Sequence, residues 1–185
     1  GSGPAEAGLH DSNYHRWAPR FIAIATLVAG GAAALYYSYT GLALAHYDAR
    51  AHLVVARRIL DSLMPGWQQI GAVWLPLPHV LNMIPVQVDA WYRTGASAIA
   101  LSVASMAVGA WALASLIIGR TGSIAGAIAG AALLLANPNV LYLQSTPMTE
   151  PLLMALTIGG VALTWRWVQD GAEGPPTAPG IVLAL

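Results

Sequence analysis

The sequence contains no cysteine and no lysine, and it carries few charges of any kind. Its 185 residues include eight arginines and eight acids, so charged side chains make up 9% of the chain, against roughly 25% in an average soluble domain. Without cysteine there is no disulfide framework, and no redox compartment can be read. The formal net charge of +0 removes the basic footprint that nucleic acid requires, and with it any long-range field to steer a charged partner. What remains is apolar: 57% hydrophobic residues and a mean hydropathy of +0.60. A water-soluble protein built this way has little polar surface with which to cover itself. The expected solvent is the bilayer.

A membrane helix needs about 20 mostly apolar residues to cross roughly 30 Å of hydrocarbon. No charged residue follows Arg20 until Asp48, which gives a span over about 20–40 behind a polar, mobile cytoplasmic tail at 1–19. Further spans are expected over 94–119, over 122–137 and over 149–168. The third is short and stops at the breaker Asn137-Pro138-Asn139; the fourth carries Trp165 and Trp167 as an interface anchor. A polar loop follows, and a fifth span opens at Ile181, so the chain reads as the N-terminal part of a longer protein. Gly122, Gly126 and Gly130 form a small-residue stripe, a packing surface between helices in lipid. The fold class is all-α: a polytopic transmembrane helical bundle with interfacial amphipathic helices in its first outer loop, 41–93.

That loop collects the polar residues. Between His46 and Arg93 lie three of the eight acids, four of the eight arginines and three of the five histidines. On a helical wheel over His46–Leu63, Arg50, Arg57, Arg58 and Asp61 share one side, while Ala49, Leu53, Val55, Ala56, Ile59, Leu60 and Leu63 share the other. This pattern fits an amphipathic helix in the membrane interface, its arginines facing headgroups or a phosphate-bearing ligand. A solvated face with an Arg57–Asp61 pair accounts for half of it. Asp48 heads the helix on the apolar side with His52. Taken alone it is an N-cap. A second acid, Glu150, interrupts the apolar run before the fourth span, and alternating spans return it to the side of Asp48, where two carboxylates from separate loops can meet. His79, after Trp74-Leu75-Pro76-Leu77-Pro78, reads either as an interface histidine or as a ligand-binding one. There is no zinc spacing, P-loop, GxGxxG or GxSxG elbow.

Arg16, Arg20, Arg120 and Arg166 fall on one side of these spans and Arg50, Arg57, Arg58 and Arg93 on the other. The tie in the positive-inside count breaks toward a cytoplasmic N-terminus, because the second group shares its loop with Asp48, Asp61 and Asp89.

Three segments in this order resemble the GT-C superfamily of polytopic glycosyltransferases, which includes protein O-mannosyltransferases and aminoarabinose transferases. They are Tyr47-Asp48-Ala49-Arg50-Ala51-His52 with Ala56-Arg57, then Trp74-Leu75-Pro76-Leu77-Pro78-His79, then Thr149-Glu150-Pro151-Leu152-Leu153. The likeness covers about 17–168. It departs from the family at Ala49, where the second acid of a common Asp-Glu pair is missing, and at the Pro-Pro pair, here split by Leu77.

The resemblance implies an integral, multi-pass protein of the bacterial inner membrane with its site on the periplasmic side. It would move a sugar from a polyprenyl-phosphate donor to an acceptor. Asp48 would be the general base, and Glu150 would orient the acceptor or share that role. Arg57 or Arg58 would hold the phosphate, with His52, His79 and Trp74 as further substrate-binding residues. A divalent cation, if one takes part, would fall to Asp48 and Glu150. Membrane lipids are the other partner, and nucleic acid is none. The competing class is a non-catalytic transporter or lipid-binding membrane subunit. A transporter calls for charges or breaks inside the spans, whereas here they lie at span ends and in loops.

Overall fold

The computed structural model describes residues 4–172 and 175–185. Among them there are only helices: α1 (Pro4–Tyr39), α2 (Tyr47–Arg58), α3 (Pro76–Asn82), α4 (Asp89–Thr94), α5 (Ala96–Thr121), α6 (Ile124–Ala136), α7 (Pro138–Gln144), α8 (Glu150–Gln169) and α9 (Thr177–Ala184), with short 3-10 turns at Trp67–Ile70 and Pro85–Gln87. Three segments are long and apolar enough to cross a membrane: His15–Tyr39 within α1, α5 and α8. A fourth exists if α6 and α7 count as one span, bent by 75°.

These match the expected spans, with one correction. Helix α1 does not begin at Arg20 but runs back through Pro19 to Pro4, where a tail is expected. Proline removes one hydrogen bond from a helix interior, and here Ala18 and Ile22 pack on either side of it against Ala114, Ile118 and Ala127. The breaker at Asn137 ends α6 at Ala136, as expected, and a new helix starts at once at 75° to it. Asn137 Oδ1 accepts from the backbone N–H groups of Asn139 and Val140, so it caps α7 as it leaves α6. The Trp165 ring lies where a side chain on Gly119 would sit, and its Nε1 is covered. Residues 181–184 belong to α9, which runs back along α8 so that Leu183 seats on Gly160.

Helix α5 is the centre of the molecule. Ser102 pairs with Met148, Gly109 with Ala155 and Gly119 with Trp165, a constant offset of 46 residues that makes α5 and α8 parallel neighbours. On another side, Gly126 and Gly130 of α6 lie against Ile117 and Leu113, which makes α6 antiparallel to α5. The expected glycine stripe is therefore a packing surface at these two positions. Gly122, at φ +66, instead ends α5 as its left-handed cap. Helix α1 completes the cluster through Ala34 against Ile99 and Val103. The end of α1 and the starts of α5 and α8 thus gather at one end of the molecule, where α2, α3 and α4 also sit.

The connection from α7 to α8 is buried: Gln144, Ser145, Thr146, Pro147 and Met148 are all inaccessible. Gln144 Nε2 donates to Gly30 O at 3.1 Å and to Ser145 Oγ at 2.8 Å, and Ser102 Oγ donates to Met148 O at 3.0 Å. Pro147 packs against Gly95, where a Cβ would lie 2.7 Å from its Cγ and where φ is +71, so only glycine suits both demands. Backbone polar groups this deep require internal partners, and the Ser102 hydroxyl of α5 provides one for the Met148 carbonyl.

Candidate functional site

The site begins with α2. His46 caps the helix, its Nδ1 accepting from the backbone N–H of Asp48 at 3.2 Å. Asp48 is therefore not the N-cap; it occupies the first turn, half-exposed, where the positive end of the helix favours a carboxylate. The inward face consists of Ala49, His52, Leu53 and Ala56, and Leu53 and Ala56 pack on Val86 and Ala98. The wheel placed these residues correctly but ran the helix too far. It stops at Arg58, because the next turn folds back for Gly66 N–H to reach Ile59 O at 2.9 Å.

Arg57 and Arg58 part company here. The Arg57 guanidinium donates to Asp61 Oδ2 at 2.9 Å and Asp89 Oδ1 at 2.7 Å, and it stacks over the Tyr92 ring at 4.6 Å. The hydrogen bond from Arg57 holds the Asp89 carboxyl below its ordinary range, and the two carboxylates raise the Arg57 pKa in return. Arg57 thus ties α2 to α4. Arg58 is exposed and forms no ion pair among the described residues.

His52 and His79 meet. The Nδ1 of His52 lies 3.0 Å from the Nε2 of His79, and both side chains are buried. His79 is delivered by α3, whose Pro76 and Pro78 occupy first-turn positions where a missing N–H costs nothing. Leu75 is held extended before Pro76, and its carbonyl lies 2.9 Å from His79 Nδ1. The half-buried Trp74 ring lies against both imidazoles, with centroids 4.5 Å from His52 and 5.9 Å from His79. Burial pushes the His52 imidazole down to about 4, with His79 adding to the effect and Asp48 opposing it. Burial lowers His79 as well, against the pull of the Leu75 carbonyl.

This pair reaches the elbow that precedes Glu150. His52, His79 and Asn82 share a small cavity with Ser102, Met148 and Thr149. Asp48 and Glu150 sit in the first turns of α2 and α8, and no hydrogen bond joins them among the described residues. What connects the two helix starts is the histidine pair. Glu150 Oε2 is buried and has no partner among the described residues.

A groove of about 870 Å³ runs between α1 and α5. Leu27, Leu35, Ile99 and Val103 line its length, and Arg93 and Thr94 stand at the end nearest α2. Arg93 was not singled out by its surroundings in the sequence. The one signal for it is its position at the edge of the long uncharged stretch that becomes α5. A second groove, between α5 and α8, has its arginine, Arg166, at the opposite end of the molecule.

Among the described residues no three His, Cys, Asp or Glu side chains cluster to hold a metal ion. Compared with known proteins, the chain matches no family model, no curated protein and no solved structure.

Proposed function

We propose that this chain forms part or all of an integral membrane glycosyltransferase that uses a polyprenyl-phosphate sugar and works at the α2 end of the bundle. One observation carries the reading: the polar groups of the protein converge beside an apolar groove. Asp48, the His52–His79–Trp74 cluster and the elbow before Glu150 adjoin each other, and the α1–α5 groove opens toward them past Arg93. A long isoprenoid chain suits the groove, and a phosphate suits the exposed guanidinium groups of Arg93 and Arg58 at this level. The reading places this end on the periplasmic side of a bacterial inner membrane, with four arginines on each side and the outer four sharing their loop with Asp48, Asp61 and Asp89.

In the reaction the acceptor hydroxyl oxygen attacks the anomeric carbon. The carbon–oxygen bond to phosphate breaks, and polyprenyl phosphate leaves with the bonding pair. Asp48 takes the hydroxyl proton, and Glu150 accepts a hydrogen bond that orients the acceptor. Phosphate is a stable leaving group, so the step needs a base and charge stabilisation but not the acid–base carboxyl pair of glycoside hydrolysis.

The test is release of polyprenyl phosphate from a radiolabelled polyprenyl-phosphate hexose in membranes containing the protein. Release that disappears in Asp48→Asn, with expression unchanged, is the expected result. Near-normal release in that variant overturns the base assignment. Binding without release overturns the enzymatic reading in favour of a lipid-binding subunit.

A further inference from the structure

The two buried histidines have their protons placed by geometry. A backbone carbonyl can only accept, so His79 Nδ1, 2.9 Å from Leu75 O, carries a hydrogen. A neutral imidazole has one N–H, so His79 Nε2 is an acceptor. His52 Nδ1, 3.0 Å from it, must then be the donor. This leaves the lone pair of His52 on Nε2, which accepts no hydrogen bond among the described residues and is not one of their fully covered polar atoms. The chain of carbonyl, His79 and His52 therefore fixes both the ring orientation and the tautomer of His52, as second-layer partners do for functional histidines. Because that nitrogen is not sealed off, a donor entering beside the half-buried Trp74 or through the cavity His52 shares with Thr149 can reach it.

We infer that His52 Nε2 is a hydrogen-bond acceptor for a hydroxyl of a bound sugar, with Trp74 as its apolar neighbour, and that His79 is a positioning residue that never touches the substrate. This rests on the glycosyl reading above and sharpens it, because it assigns the two histidines different work. An O–H donor is the chemistry that a neutral, tautomer-locked imidazole nitrogen recognises; a phosphate oxygen, itself an acceptor, is excluded from this position.

Two substitutions separate the roles. His52→Asn keeps a donor where Nδ1 stands, so the bond to His79 survives, and deletes the acceptor at Nε2. His79→Gln keeps an acceptor facing His52, whereas His79→Leu removes it and frees the His52 tautomer. The measurement is binding of polyprenyl-phosphate hexose and of sugar-free polyprenyl phosphate to the protein in nanodiscs, with thermal unfolding run alongside. Wild type should prefer the glycosylated lipid. His52→Asn should lose about five- to tenfold of that preference, the weight of one hydrogen bond, while melting as wild type does. His79→Gln should keep the preference and His79→Leu lose it.

If wild type prefers the glycosylated lipid and His52→Asn prefers it equally, the assignment of Nε2 is overturned alone. If wild type does not distinguish the two lipids, the glycosyl reading falls with it. A binding test with hexose lipids lacking single hydroxyls then identifies the donor group. A loss seen for one deoxy sugar in wild type but not in His52→Asn places it on the lipid-borne sugar. The same loss in both proteins overturns the inference.

Discussion

Arg57 and Asp89, 32 residues apart in the chain, are joined by a 2.7 Å hydrogen bond that clamps α2 against α4. The consequence is a division of labour between adjacent arginines. Arg57 holds the scaffold, and Arg58 is left for a ligand. Arg58→Gln should lower affinity for polyprenyl phosphate about ten- to hundredfold, the range for a charged hydrogen bond, at unchanged melting temperature. Arg57→Gln should lower the melting temperature. Equilibrium binding and thermal unfolding of the two variants in nanodiscs check both, and equal behaviour would sink the division.

The same clamp sets a pH dependence. Asp89 titrates below its ordinary value of 3.8 in the folded protein, because Arg57 stabilises the carboxylate. Its contribution to stability is therefore fully present above that ordinary value and is lost as pH falls through the lowered one. Wild type and Asp89→Asn should differ in thermal stability near neutral pH, converge in strong acid, and converge also at high salt, where an exposed pair is screened.

His52 works in the same sense but over a higher pH range. Its folded value near 4 lies below the ordinary 6.5, so the unfolded chain takes up a proton first. Stability should be at its plateau above about 6.5 and decline as pH falls toward 4, by a few kcal/mol in all at roughly 1.4 kcal/mol for each pH unit of displacement. His79, also lowered, adds to the slope. Unfolding followed from pH 7.5 to 4 should show a shallower decline in His52→Asn. An identical slope would contradict the burial of a neutral pair.

Gly30 and Gly31 offer a matched comparison. A Cβ on Gly30 would lie 2.5 Å from Gln144 Oε1, whereas one on Gly31 meets nothing within 4 Å. Gly30→Ala should displace Gln144 and break its bond to the Gly30 carbonyl, a loss of about 1–3 kcal/mol for a buried polar group. Gly31→Ala should be close to neutral. Because Gly31 lines the α1–α5 groove, Gly31→Trp should instead abolish binding of polyprenyl lipid with the fold intact. Denaturant unfolding and lipid binding separate the three variants.

Much of this was legible in the sequence because uncharged runs and helical periodicity are local properties. The spans, the inward face of α2 and the role of Gly126 and Gly130 follow from them directly. Other features depend on partners far along the chain. Nothing around Asn137 says that the Gly30 carbonyl takes the Gln144 side chain, or that Ser102 holds the Met148 carbonyl, in the stretch beyond it. The seat of the Trp165 ring on Gly119 likewise depends on a partner 46 residues away. His52 and His79 could each be noticed, but their contact spans 27 residues and depends on the extended Leu75 before a proline. Asp48 and Glu150, expected to meet, are related through those histidines.

The buried connection between α7 and α8 has one more consequence, for how the chain can vary. Connections ordinarily lie on the surface and absorb insertions and deletions. Residues 145–148 have no such slack, being anchored at the Ser102 hydroxyl and against Gly95. Adding or removing one residue there would rotate α8 by about 100° and shift it by about 1.5 Å along its axis. Glu150 and the ridge that receives Gly109 and Gly119 would turn away together. This stretch should tolerate changes of side chain far better than any change of length.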